Sequence, residues 1–145
     1  VLTRHLRRHE LADTGRHAEA VDAFRKALEP IGDDFYITYL LMQGLLALQR
    51  YEEALPLAER ESVAQRPEFW VHLVRWRVFV GSGRHDKAAI TLKELASLKP
   101  DYQELYDTLY QKPDLAAAQR LVEAAREAKD PIAHELALAV EQLRH

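Results

Sequence analysis

Gly15-Arg16-His17-Ala18-Glu19-Ala20 recurs as Gln49-Arg50-Tyr51-Glu52-Glu53-Ala54 and again as Gly83-Arg84-His85-Asp86-Lys87-Ala88, a step of 34 residues each time. Behind each copy the small and apolar residues keep one spacing: Ala20, Phe24 and Ala27; Ala54 and Ala58; Ala88, Leu92 and Leu95. Separations of four and three put such residues on one face of a helix. A proline stands near the end of each unit, at Pro30, Pro67 and Pro100. A fixed period with helical spacing inside it predicts stacked helix pairs, each burying its apolar face against the next.

The composition agrees. The chain has 145 residues, 48% hydrophobic and 30% charged, enough for one domain with a core and too apolar for a disordered tail. Five Gly and six Pro leave little punctuation, which favours long regular elements. Twenty basic and 23 acidic residues leave −3, which argues against a phosphate-backbone binder. The absence of Cys excludes a disulfide scaffold, a thiol nucleophile and a thiolate metal site. No apolar run approaches the roughly 20 residues of a spanning helix; the longest, Phe35 to Leu48, is interrupted by Thr38, Gln43 and Gly44. No direct membrane insertion is expected. The first residues, Thr3-Arg4-His5-Leu6-Arg7-Arg8-His9, are basic where a secretory leader would be apolar. A cytoplasmic location is the expectation, with a periplasmic one open for a fragment of an exported or anchored protein. Fourteen Arg against six Lys, with abundant Ala, fits a GC-rich bacterial genome.

Period and caps predict helices over 2–14, 17–29, 34–48, 51–65, 68–82, 85–98, 102–111, 114–129 and 131–144. Gly15 and Gly83 stand where left-handed C-terminal caps belong. Asp101 with Glu104 predicts a capping box, and Asp130-Pro131 an N-cap followed by a first-turn proline. Past Pro100 the register breaks: Ala117, Leu121 and Ala124 keep the four-and-three spacing but arrive about five residues early. The reading is a single domain over 1–145, with repeats at 1–33, 34–67 and 68–101. A shortened fourth unit and a capping helix fill 102–145, with Leu136, Val140 and Leu143 sealing the apolar end.

The period of 34 and Ala20-x3-Phe24, with Ala88-x3-Leu92 as a close variant, resemble the tetratricopeptide repeat family over residues 1–100. The first-helix signature is poorly kept, with Arg8, Met42 and Trp76 where the family places a small residue. The resemblance implies an all-α fold, a right-handed superhelical solenoid of antiparallel helix pairs. It also implies that Ala20, Ala54 and Ala88 lie buried where two helices meet. In that family the stripe i, i+3, i+7 of each first helix lines a concave groove that holds a protein or peptide partner. Here the stripes run through His5 and His9, then Tyr36, Tyr39 and Gln43, then Trp70, Leu73 and Arg77. Aromatic rings bury much area at low entropy cost, and Arg pairs with carboxylates, so these types suit docking. Tyr39 is the expected anchor and Arg77 the expected contact to an acidic partner. The family's Lys/Asn clamp for an acidic C-terminal tail is missing from these positions.

Other patterns imitate chemistry. His9-Glu10-Leu11-Ala12-Asp13 and His134-Glu135-Leu136-Ala137-Leu138 begin like a zinc-protease helix and lack its second His. His5 and His9 are four apart without a third ligand. No Gly-rich phosphate loop, G-x-S-x-G or carboxylate dyad is present. The basic cluster around Arg4 to His9 is followed at once by Glu10 and Asp13, and no basic face continues into later repeats. The expectation is therefore no enzyme, no metal, no cofactor and no nucleic acid. Two classes of function stand: an interaction scaffold, or a segment of a larger enzyme, regulator or export machine whose chemistry lies elsewhere.

Overall fold

In the computed structural model, residues 16–145 are described, and every regular element among them is helical. The expected helix over 2–14, with His5, His9 and Gly15, lies outside the described residues. The chain divides into two compact units, which part between Gln65 and Arg66, two residues ahead of the expected third repeat.

The N-terminal unit contains α1 (His17–Leu28), α2 (Phe35–Ala47), α3 (Tyr51–Ala58) and α4 (Glu61–Ala64). The Asp34 carboxylate starts α2 by accepting the Ile37 N–H at 2.9 Å, which satisfies one of the orphan donors of the first turn. Helices α1 and α2 pack closely because Gly44 has no side chain: a Cβ there would stand 2.9 Å from Val21 Cγ2. Val21, Leu41, Met42, Leu45 and Leu46 are buried around this approach, and Ala54, Leu57, Ala58 and Val63 continue the core. Met42 is fully buried, and the close approach of the two helices is at Gly44, two residues on. Ala54 and Ala88 are fully buried as expected, whereas Ala20 is only half-buried. The helix expected over 51–65 is broken: Arg60 is extended (φ −61°, ψ 138°) between α3 and α4. Pro56 inside α3 lacks the N–H for the Glu52 carbonyl and crowds it, yet α3 runs on past it to Ala58.

Turn chemistry repeats with the period. Gly83 has φ +73°, and the Arg84 N–H reaches back to the Phe79 carbonyl at 2.8 Å, closing the preceding helix with a left-handed cap. Thirty-four residues earlier Gln49 holds the same position at φ 57°, and the Arg50 N–H reaches the Leu45 carbonyl at 2.9 Å. A side chain in this region costs roughly 1–2 kcal/mol that glycine avoids, part of it returned through glycine's freer unfolded chain. Gln49→Gly should therefore raise stability by about 0.5–1 kcal/mol, read as a higher urea midpoint with an unchanged slope.

The C-terminal unit contains α5 (Phe69–Gly81), α6 (His85–Leu98), α7 (Gln103–Tyr106), α8 (Leu115–Glu127) and α9 (Ala133–Gln142). Helix α5 is its centre. Val71, Val74, Trp76, Val78, Phe79 and Val80 are buried on nearly every face, the mark of a helix covered on several sides. Helix α6 covers one side and α9 returns to cover another, while α9 also packs on α8. Leu136 and Val140 are buried as expected of the cap, and Leu143 is half-buried.

Between α6 and α8 the expected helix over 102–111 changes pitch twice. A 3-10 turn (Pro100–Tyr102) leads into α7, and a wider π turn (Asp107–Gln111) follows. Asp101 lies inside the 3-10 turn and caps nothing, so the expected capping box does not form. The wide turn places Tyr110 beside Trp76, whose Nε1–H donates to the phenol oxygen at 3.1 Å. Burial pushes the Tyr110 pKa up to about 12 against the opposing effect of that bond, which keeps the ring neutral. The Asp114 carboxylate caps α8 by accepting the Ala117 N–H at 3.1 Å. Asp130 accepts from the Ile132 N–H at 3.0 Å, and α9 begins only at Ala133, two residues later than expected.

Candidate docking faces

In the N-terminal unit, Tyr36, Tyr39 and Gln43 lie at the i, i+3, i+7 positions of α2. Tyr36 is 66% exposed and Gln43 is exposed. Tyr39 is half-buried: its ring stacks on Phe35 with centroids 6.1 Å apart, and its hydroxyl accepts from Gln43 Nε2 at 2.9 Å. The expected anchor is thus already held on two sides, and Tyr36 presents the larger free surface. A half-locked ring beside an exposed one forms an amphipathic strip able to bury area with little ordering cost.

A separate cleft of about 350 Å³ lies in this unit, with Leu28, Leu41 and Leu57 in its lining and Arg25, Glu53 and Arg60 among its charges. Arg25 Nη2 meets Glu53 Oε1 at 2.7 Å, and Arg50 grips the same carboxylate through Nε at 2.5 Å and Nη2 at 3.0 Å. These two guanidiniums, Arg25 first, hold the Glu53 carboxyl below its ordinary pKa. The cluster is solvent-exposed, where such pairs contribute little to stability.

In the C-terminal unit, Trp70, Leu73 and Arg77 form the corresponding stripe of α5. Trp70 is 37% exposed and Leu73 is half-buried. Arg77 departs from its expected role. Its side chain is 15% exposed, and its Nε donates to Glu135 Oε1 of α9 at 2.5 Å. The Glu135 side chain is 2% exposed. The cation expected to await an acidic partner is neutralised from within the unit, and changes at Arg77 bear on stability. Of the His134-Glu135 pair, Glu135 is the carboxylate that meets Arg77. The signal was visible in the sequence, since Glu135 stands amid Ile132, Leu136, Ala139 and Val140, all apolar and all buried. A carboxylate in such a stripe needs a cation.

Nearby, His72 of α5 is buried, with Nδ1 3.8 Å from Glu94 Oε2. Desolvation, then Arg75, holds its imidazole below the ordinary histidine pKa. Among the described residues no group of three or more His, Asp or Glu stands where it could hold a metal ion, and no helix is long and apolar enough to cross a membrane. No family model, curated protein or solved structure matches this chain.

Proposed function

We propose that this chain is a protein-interaction module of the tetratricopeptide type, a right-handed solenoid whose first-helix stripes dock a peptide or helix of a partner protein. The observation that carries the reading is Tyr36, 66% exposed on the face it shares with Tyr39 and Gln43. The 34-residue register of sequence and of caps, Gln49 with Gly83, supports the repeat assignment. Its role is binding rather than catalysis, and its specificity rests on aromatic and amide groups more than on charge.

Peptides selected from a displayed random library on the intact protein provide the test. Tyr36→Ala should weaken their binding by about 2 kcal/mol, near thirtyfold, because an aromatic desolvated at the centre of an interface is a hot spot. The melting temperature should stay unchanged, since the ring is exposed. Selected peptides that bind Tyr36→Ala and wild type equally would refute docking on the α2 face.

A further inference from the structure

His72 is the fourth residue of α5, as Thr38 is of α2, and both side chains are buried. The repeat thus holds a polar group out of water at this position. At Thr38 it is a hydroxyl with no hydrogen-bond partner among the described residues; in α5 it is a ring that can take a proton. Two opposite charges compete for one atom of that ring. Arg75 Nη1, one turn along α5, stands 3.5 Å from Nδ1, and Glu94 Oε2 of α6 stands 3.8 Å from the same atom. A neutral ring can accept there from the guanidinium, whereas a ring protonated at Nδ1 can only donate and suits the carboxylate. Glu68 and a hydrogen bond to the Arg66 backbone, both from the segment leading into α5, also favour the charged ring. Of the other charges on the helices packed against α5, Lys87 of α6 shares the Phe79 ring with Arg75, and Glu135 of α9 is engaged by Arg77.

We propose that His72 is an acid-sensitive switch in the α5–α6 contact: the neutral ring faces Arg75, and on taking a proton from solvent it exchanges Arg75 for Glu94. The exchange weakens the contact, because the new charge sits in a nearly dry place beside a guanidinium, while the Glu94 side chain is 53% exposed and pulls through solvent. Burial first, then Arg75, holds the imidazole below its ordinary pKa of 6.5, with Glu94 opposing them. As pH falls, the unfolded chain therefore takes the proton before the folded one. The stability contributed by the neutral ring is complete above pH 6.5 and is lost as pH drops through the lower folded-state value. The switch acts within the C-terminal unit and needs no docked partner.

Proton NMR of the intact chain, titrated from about pH 8 to about pH 5, reads the switch in the folded state. The His72 ring proton should titrate at lower pH than that of His145, which is exposed. Arg75→Gln should move the His72 midpoint up and Glu94→Gln should move it down, with His145 unmoved by either. The two shifts have opposite signs because one variant removes the charge that opposes the proton and the other the charge that welcomes it. Urea unfolding followed by selectively excited tryptophan emission gives the energetic half. Between about pH 7.5 and about pH 5.5 the wild-type midpoint should fall by more than that of His72→Gln. A His72 titration coincident with that of His145 would overturn the proposal, as would charge variants that move it the same way or not at all. An equal fall of the urea midpoint in wild type and His72→Gln would overturn it too; should His72→Gln fail to fold, the two charge variants still decide.

Discussion

Arg77→Ala should destabilise the C-terminal unit by about 3–5 kcal/mol, because it leaves the Glu135 carboxylate, 2% exposed, without its guanidinium. The measurement is direct. Both tryptophans, Trp70 and Trp76, belong to the C-terminal unit, so emission excited selectively from tryptophan during urea unfolding reads that unit. Arg77→Glu should cost more, since two carboxylates would then share one dry site. The double variant Arg77→Met/Glu135→Leu should recover most or all of the loss, as replacing both members of a buried pair by apolar groups removes the desolvation penalty along with the attraction. A single Arg77→Ala within about 0.5 kcal/mol of wild type would mean that the pair contributes nothing and that α9 is held by apolar packing alone.

How much of this was legible in the sequence depends on the length scale of the cause. Helix positions over residues 17–28, 35–47, 69–81, 85–98 and 115–127 follow the apolar period and agree within two residues, because burial of one face sets both. The break at Arg60 has no comparable mark: Pro56 lies inside α3 and removes a bond to the turn before it, whereas the chain turns extended four residues after it. The two changes of pitch across 100–111 have no such signal. They place Tyr110 against Trp76, and that contact is made between residues 34 apart in the chain. The stripes themselves were legible as stripes, yet their partners on other helices were not. Tyr36, Tyr39 and Gln43 share a face as spacing dictates, and the hold of Phe35 and Gln43 on Tyr39 follows the same local rule, each standing four residues from it on one helix. Spacing alone leaves Arg77 an open cation because its partner lies 58 residues downstream, in a helix whose sequence stands out for the apolar Leu136, Val140 and Leu143. A charged residue amid an apolar stripe is the readable half of such a pair; the other half must be sought among the cations of equally buried helices.

Truncation after Asp130 should have the largest effect of any change considered. It removes Ile132, Leu136, Ala139 and Val140 from the core and takes Glu135 away from Arg77. Full burial of a large aliphatic side chain is worth about 1.5–3 kcal/mol, so losing Ile132, Leu136 and Val140 together approaches the whole stability of a small domain. The partners left behind add to the cost, for α5 would present apolar surface on a side that α9 had covered. An uncovered face of that kind drives association, as terminal units of helical repeats show when their outer face is not polar. The truncated chain should therefore lose the blue-shifted emission of buried Trp76 and elute as aggregate in size-exclusion chromatography with light scattering. The N-terminal unit keeps its own core around Val21, Leu45 and Ala58, so circular dichroism should retain a substantial helical signal while the tryptophan signal collapses. Synthetic 131–145 peptide present from the start of refolding should restore the emission in part, since the lost contacts are non-covalent and binding to the folded form draws the equilibrium towards it. A truncated chain that stays monomeric with unchanged tryptophan emission and melting temperature would show α9 to be an appendage, and the account of α5 as a helix covered from two sides would fail with it.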